Sequence, residues 1–262
     1  MTRIPCTLLL ALVFAATPVR AVDLPDTGQD TCYNDTAADG APAPSAVSIA
    51  RDAGTYPRQD CRYGRDAATA AGMNTKTGAG VHGFDYTKIA NNGTALPADA
   101  TLGAGATDWA CTRDNITGLT WELKSNIPGD LHNRWDYYTW YNSDGGTNGG
   151  NAGSLGNTCT IAGGRCNTEA FAAALNAVPL CTYTDWRLPT RRELRTLVNF
   201  DGSNPAIMQS YFPNTIAAYF WSSTSYGPNP AFAWGVPFDD GGTGIFSKNS
   251  VVPVRLVRGG QF

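Results

Sequence analysis

Asp185-Trp186-Arg187-Leu188-Pro189-Thr190-Arg191-Arg192-Glu193-Leu194 is the stretch on which the fold of this chain turns. Thr190 stands where a helix N-cap belongs, and Glu193, three residues on, can reach back to the cap's own N–H in a capping box. Pro189 sets the angle of approach, Leu194, Leu197 and Val198 form a buried stripe, and Asp201-Gly202 closes the helix. Working upstream, Asn167 reads as the N-cap of another helix with Glu169 in its first turn. Phe171, Leu175 and Val178 recur at helical spacing to face a core, and Pro179 ends the run. Downstream, residues 219–223 (YFWSS), 231–237 (AFAWGVP), 244–248 (GIFSK) and 252–257 (VPVRLV) are short β-like runs. Turns such as Gly227-Pro228-Asn229-Pro230 and Asp239-Asp240-Gly241-Gly242 separate them. Two helices followed by an antiparallel sheet make an α+β domain with long loops.

Before these helices the pattern thins. Residues 116–123 (ITGLTWEL) read as a turn and then a strand, and residues 142–157 (NSDGGTNGGNAGSLGN) as a surface loop with few core-forming side chains. Residues 22–108 are turn-rich and read as an extended N-terminal extension, with one short strand expected at 82–89 (HGFDYTKI); the main domain spans 109–262.

The chain opens with Met1-Thr2-Arg3, an apolar run at 8–16 (LLLALVFAA) and Val19-Arg20-Ala21, the layout of a cleavable signal peptide over 1–21. The run is far shorter than the roughly 20 residues a transmembrane helix needs, no later segment reaches that length, and Cys6 precedes the run rather than following it as in a lipoprotein. Export to the periplasm, cell surface or medium is expected. Cleavage takes two of the 19 basic residues and leaves 17 against 22 acidic ones, a formal charge of −5. That balance argues against nucleic acid as a partner, which needs a broad basic face.

Cleavage also leaves an even set of cysteines: Cys32, Cys61, Cys111, Cys159, Cys166 and Cys181. In an oxidising compartment such a set reads as a disulfide framework. A helix over 167–178 would hold its ends about 18 Å apart, whereas bridged Cα atoms lie within about 7 Å, so Cys166–Cys181 is disfavoured. The preferred pairing is Cys32–Cys61, Cys159–Cys166 and Cys111–Cys181, with others open. No C-x-x-C pair is present and the histidines number two, His82 and His132, so no metal site is expected.

Four motifs then occur in order: residues 114–122 (DNITGLTWE), 185–194 (DWRLPTRREL), 220–223 (FWSS) and 254–258 (VRLVR). Together they closely resemble the C-terminal domain family of the Legionella collagen-like protein, Lcl_C, over about residues 109–260. Residues 24–29 (LPDTGQ) and Cys32 look like the start of its secreted relatives. The resemblance implies a C-type-lectin-like fold, shared with the formylglycine-generating enzymes, and a role in adhesion with sulfated glycosaminoglycan binding. No Gly-x-y repeat is present, and the Glu-Pro-Asn and Gln-Pro-Asp triplets of calcium-dependent lectins are absent.

Three features can bind a ligand, each with a plainer reading beside it. Arg191, Arg192 and Arg195, with Lys124 and Arg134 as possible neighbours, can grip a sulfate or carboxylate, or simply form a solvated helix face. Arg134, Trp135, Tyr138 and Trp140 belong to an aromatic run, residues 134–141 (RWDYYTWY), that can stack on sugars or pack alternate rings in the core. Asp239-Asp240-Gly241-Gly242 can hold calcium or be an ordinary turn; no other cofactor is expected. Trp186, Leu188, Trp221 and Trp234 read as core anchors, and Arg255 and Arg258 as partners for Asp185 or Glu193 that lock the C-terminus. No G-x-S-x-G or P-loop appears, and with its cysteines bridged the mature chain has no thiol for oxidase chemistry, so an enzyme is not expected. The expected function is a secreted or surface-exposed non-catalytic binding module for glycans or cell-surface polymers. The alternative is a structural, protein-binding subunit of an envelope or extracellular assembly.

Overall fold

The computed structural model describes residues 26–29, 60, 64–156 and 166–260. In chain order these form α1 (Arg65–Ala70), β1 (Tyr86–Ala90), β2 (Ala95–Leu96), β3 (Trp109–Asp114), β4 (Leu119–Glu122), α2 (Thr168–Ala177), α3 (Arg191–Arg195), β5 (Tyr219–Ser225), β6 (Phe232–Pro237), β7 (Gly244–Ser247) and β8 (Val257–Gly259). The strands make two antiparallel sheets, one ordered β2-β1-β3-β4-β8 and the other β5-β6-β7. The domain is therefore mixed helix and sheet, mostly antiparallel strand with few helices.

Both helix starts follow the sequence signals. Asn167 accepts from the Ala170 N–H at 2.8 Å to open α2. Thr190 Oγ1 accepts from the Glu193 N–H at 3.2 Å while Glu193 Oε2 accepts from the Thr190 N–H at 2.8 Å, completing the capping box of α3. Arg187 then closes a fork on the same carboxylate at 2.6 and 2.8 Å. The helix is a little over one turn long, yet Leu194, Leu197 and Val198 beyond and within it are all buried, and it packs on β5 and β6.

Two cores flank β4. Leu119 and Trp121 enter one, with Leu194, Phe212 and Phe220; the other holds Trp140, Phe171, Leu175, Trp186 and Trp221. Indole donors tie the second core together: Trp140 Nε1 donates to the Ser222 carbonyl at 2.9 Å and Trp221 Nε1 to the Tyr138 carbonyl at 2.8 Å. Each buried ring removes roughly 150–250 Å² from water, which at about 25 cal/mol/Å² outweighs any exposed ion pair.

Several expectations need correction. Val178 faces solvent at 66% exposure, because α2 ends at Ala177 and the chain turns extended there. The strand expected at 82–89 begins only at Tyr86. His82 and Gly83 both have left-handed backbone, and a Cβ on Gly83 would sit 2.0 Å from an Asp26 oxygen, so a turn is forced. Within residues 252–256 the one bridge is Tyr138↔Val252 and there is no ladder, while β8 joins the first sheet, so the strands after α3 close two sheets. Arg258 does fork onto Asp185 at 2.9 Å. Arg255 meets neither Asp185 nor Glu193, since Arg258 and Arg187 occupy them; it is buried, donating to the Glu122 carbonyl and Thr215 Oγ1, both at 2.7 Å.

Cys111 and Cys181 form the expected disulfide, 70 residues apart in sequence with Cα atoms at 6.4 Å. Cys166 is also disulfide-bonded. Its expected partner Cys159, the expected Cys32–Cys61 bond and the signal peptide at 1–21 lie outside the described residues. Among the described residues no helix is long and apolar enough to cross a membrane.

Candidate functional site

An open cleft of about 660 Å³ lies between α2, the approach to α3, and β5. The start of α2 supplies Thr168 and Glu169, the run into α3 supplies Arg187 and Thr190, and β5 supplies Ser223 and Ser225. The wall opposite, residues 140–147, is held from both ends. Thr168 Oγ1 donates to the Tyr141 carbonyl at 2.8 Å, and Glu169 Oε2 accepts from the Ser143 N–H at 2.7 Å. Beneath the glycine-rich loop, the buried Lys248 ammonium donates to the carbonyls of Asn148 and Asn151 at 2.8 and 2.7 Å and to Ser225 Oγ at 3.1 Å. It lies 3.8 Å from the Trp140 ring, and burial lowers it to about 8. The ammonium thereby joins Glu169, Thr139 and Asn167 in pinning a loop almost without apolar side chains. The cleft surface combines hydroxyls, a carboxylate, a guanidinium edge and aromatic carbon, a set able to exchange hydrogen bonds with a polyhydroxylated ligand.

The sequence candidates distribute unevenly around it. Arg191 is half-buried with its guanidinium 4.3 Å from the Trp234 ring, and its N–H donates to Thr224 Oγ1 at 3.0 Å, in the cleft lining. Arg192 and Arg195 are exposed one turn apart. Trp135 is 54% exposed with the Arg134 guanidinium over its ring at 4.8 Å. Tyr138 and Trp140 do not present ring faces to solvent: Tyr138 stacks on Phe171 with centroids 4.8 Å apart, and Trp140 is tied to Ser222. Lys124, expected beside the arginines, is buried in an ion pair instead. Asp239 and Asp240 turn their carboxylates back onto the N–H groups of Asp240 and Gly242, both at 2.9 Å. Among the described residues no three His, Cys, Asp or Glu side chains converge as metal ligands would.

One cluster escaped the sequence reading. Glu122 is fully buried: its Oε1 accepts from Lys124 Nζ at 2.7 Å and faces His132 Nδ1 at 3.0 Å, while Oε2 accepts from the Leu256 N–H at 2.9 Å. Burial pushes the carboxyl up, but the Lys124 ammonium and His132 outweigh it and hold Glu122 down at about 2. Burial draws Lys124 below its ordinary range as well, against the pull of Glu122. The carboxylate is held ionised because His132 and the Leu256 N–H serve it in addition to Lys124. Arg255 behind it is lowered to about 10 by burial.

With these geometries in place, the sequence profile of the Lcl C-terminal domain matches residues 110–258. The chain belongs to the Lcl C-terminal domain family. No curated protein matches the chain significantly. The Lcl span runs from inside β3 to inside β8, so it contains the open cleft and the Glu122 cluster, while β1 and β2 of the same sheet precede it.

Proposed function

We propose that this Lcl domain is an exported, surface-associated, non-catalytic binding module on a C-type-lectin-like fold, and that its ligand is a glycan or related cell-surface polymer held in the open cleft. The observation that carries the reading is the cleft itself, with the Thr190 and Ser223 hydroxyls beside Glu169 and Arg187. Next to its rim, Thr190 leads directly into α3, where Arg192 and Arg195 stand exposed and able to meet acidic or sulfated substituents. The signal-like N-terminus and the buried Cys111–Cys181 bond support export.

The test is a glycan array and a heparin column, each run at low and high salt with the mature chain. Salt-sensitive binding is expected, weakened several-fold by the double substitution Arg192→Ala/Arg195→Ala. Absence of binding to any glycan at low salt would sink the reading.

A further inference from the structure

We infer that a second cleft, beside the end of β4, binds a small, neutral, mainly apolar molecule that donates a hydroxyl hydrogen bond to His132. The cleft holds about 390 Å³, within the range of small-molecule sites, and Leu102, Ala110, Leu123, Ile127 and Leu180 give it aliphatic walls. Leu102 and Ile127 stand at 38% and 62% exposure, which leaves the pocket open to ligand. His132 lines it. Nδ1 faces the Glu122 carboxylate at 3.0 Å, an acceptor, so in the neutral ring it is Nδ1 that carries the proton and donates inward. The opposite nitrogen, Nε2, then carries a lone pair and has no hydrogen-bond partner among the described residues. A ring fixed at one nitrogen by a buried carboxylate offers the other as an oriented acceptor.

The charges nearby favour a neutral ligand over an anion. Lys124 lines the cleft but is committed to Glu122 and lies 4.6 Å from the Phe171 ring. Asp130 lines it too, accepting from the backbone N–H of His132 at 3.3 Å, and Asp136 acts on Lys124 from nearby. Arg255 touches Glu122 through its carbonyl and is not part of the lining. Among the described residues that line the cleft no cation is left over to recognise a carboxylate, whereas an O–H donor completes the imidazole.

The experiment titrates the full chain at pH 8 with 2-naphthol, 2-methoxynaphthalene and 2-naphthoate, read by ligand fluorescence. Saturable 2-naphthol binding is expected, with the ether, which keeps the shape and loses the donor, about tenfold weaker. His132→Phe should bring the two within about twofold, since Glu122 keeps Lys124 and the Leu256 N–H and the fold survives; a thermal melt checks that. Ile127→Asp, at an exposed rim position, should abolish binding of both. The inference is overturned if 2-naphthol does not saturate, if Ile127→Asp leaves its affinity unchanged, if the ether binds equally well, or if 2-naphthoate binds most tightly.

Discussion

Glu122 is a full negative charge in a place where water does not reach, and its fate depends on each donor that meets it. Replacing it with Gln removes the charge and leaves the Lys124 ammonium buried with a weaker acceptor. Breaking one side of such a pair costs about 3–5 kcal/mol, and urea unfolding of Glu122→Gln at pH 7 should show a loss of that size. The acid limb of stability follows the same residue. Its folded value lies at about 2, below the ordinary 4.5, so its contribution is complete above pH 4.5 and drains away as pH falls toward 2. In Glu122→Gln that part of the acid dependence should vanish; an unchanged profile would mean the carboxylate is not the ionised group. None of this was legible in the sequence. Alternation along β4 puts Thr120 and Glu122 opposite Leu119 and Trp121, where an exposed polar face is the ordinary outcome, but this strand has a core on each side. His132 comes ten residues later in a loop, and nothing in its neighbours signals that the chain doubles back onto Glu122.

At the scale of an element, α3 shows why local signals were the most readable. A helix of five residues has little internal hydrogen bonding and stands on its cap and its buried face. Both are written within ten residues, in Pro189-Thr190, Glu193 and the Leu194, Leu197 and Val198 stripe. Thr190→Ala should therefore cost about 1 kcal/mol in denaturant unfolding, while Thr190→Ser, which keeps the accepting oxygen, should stay within a few tenths. Equal losses for the two would mean that the Thr190 methyl rather than its oxygen matters. Readings that needed a partner distant in sequence fared less evenly. Asp185 and Arg258 met as expected, whereas Arg255 was drawn inside because Thr215 and the Glu122 carbonyl, neither marked by any motif, receive its guanidinium. Tyr138 and Trp140 share the aromatic texture of Trp135 and Tyr137, and the alternation of bridging backbone at Tyr138↔Val252 is what sends the first pair inward.

For the whole molecule, the question is where the folding unit begins. The family match starts at residue 110, yet β1 sits between β2 and β3 in the five-stranded sheet. Tyr86 in β1 is buried, with its ring 5.2 Å edge-on to Phe212 and 5.4 Å from Tyr211, and Phe84 and Ile89 are buried beside it. Removing β1 would expose the ladder edge of β3 and uncover Tyr211 and Phe212 of the core. Bare edges of this kind pair with other chains, and loss of a large buried aromatic alone costs about 3–5 kcal/mol. That is a large part of the roughly 5–15 kcal/mol available to a domain. A fragment spanning 110–258 is therefore expected to aggregate or to melt without a cooperative transition, while a fragment spanning 64–260 should unfold in one sharp step. Calorimetry on the two, with light scattering for the shorter, decides it. A cooperative 110–258 melt with a midpoint matching the longer fragment would show that β1 and β2 only decorate the sheet, and the change of sequence texture at 108/109 would then mark the true edge of the domain.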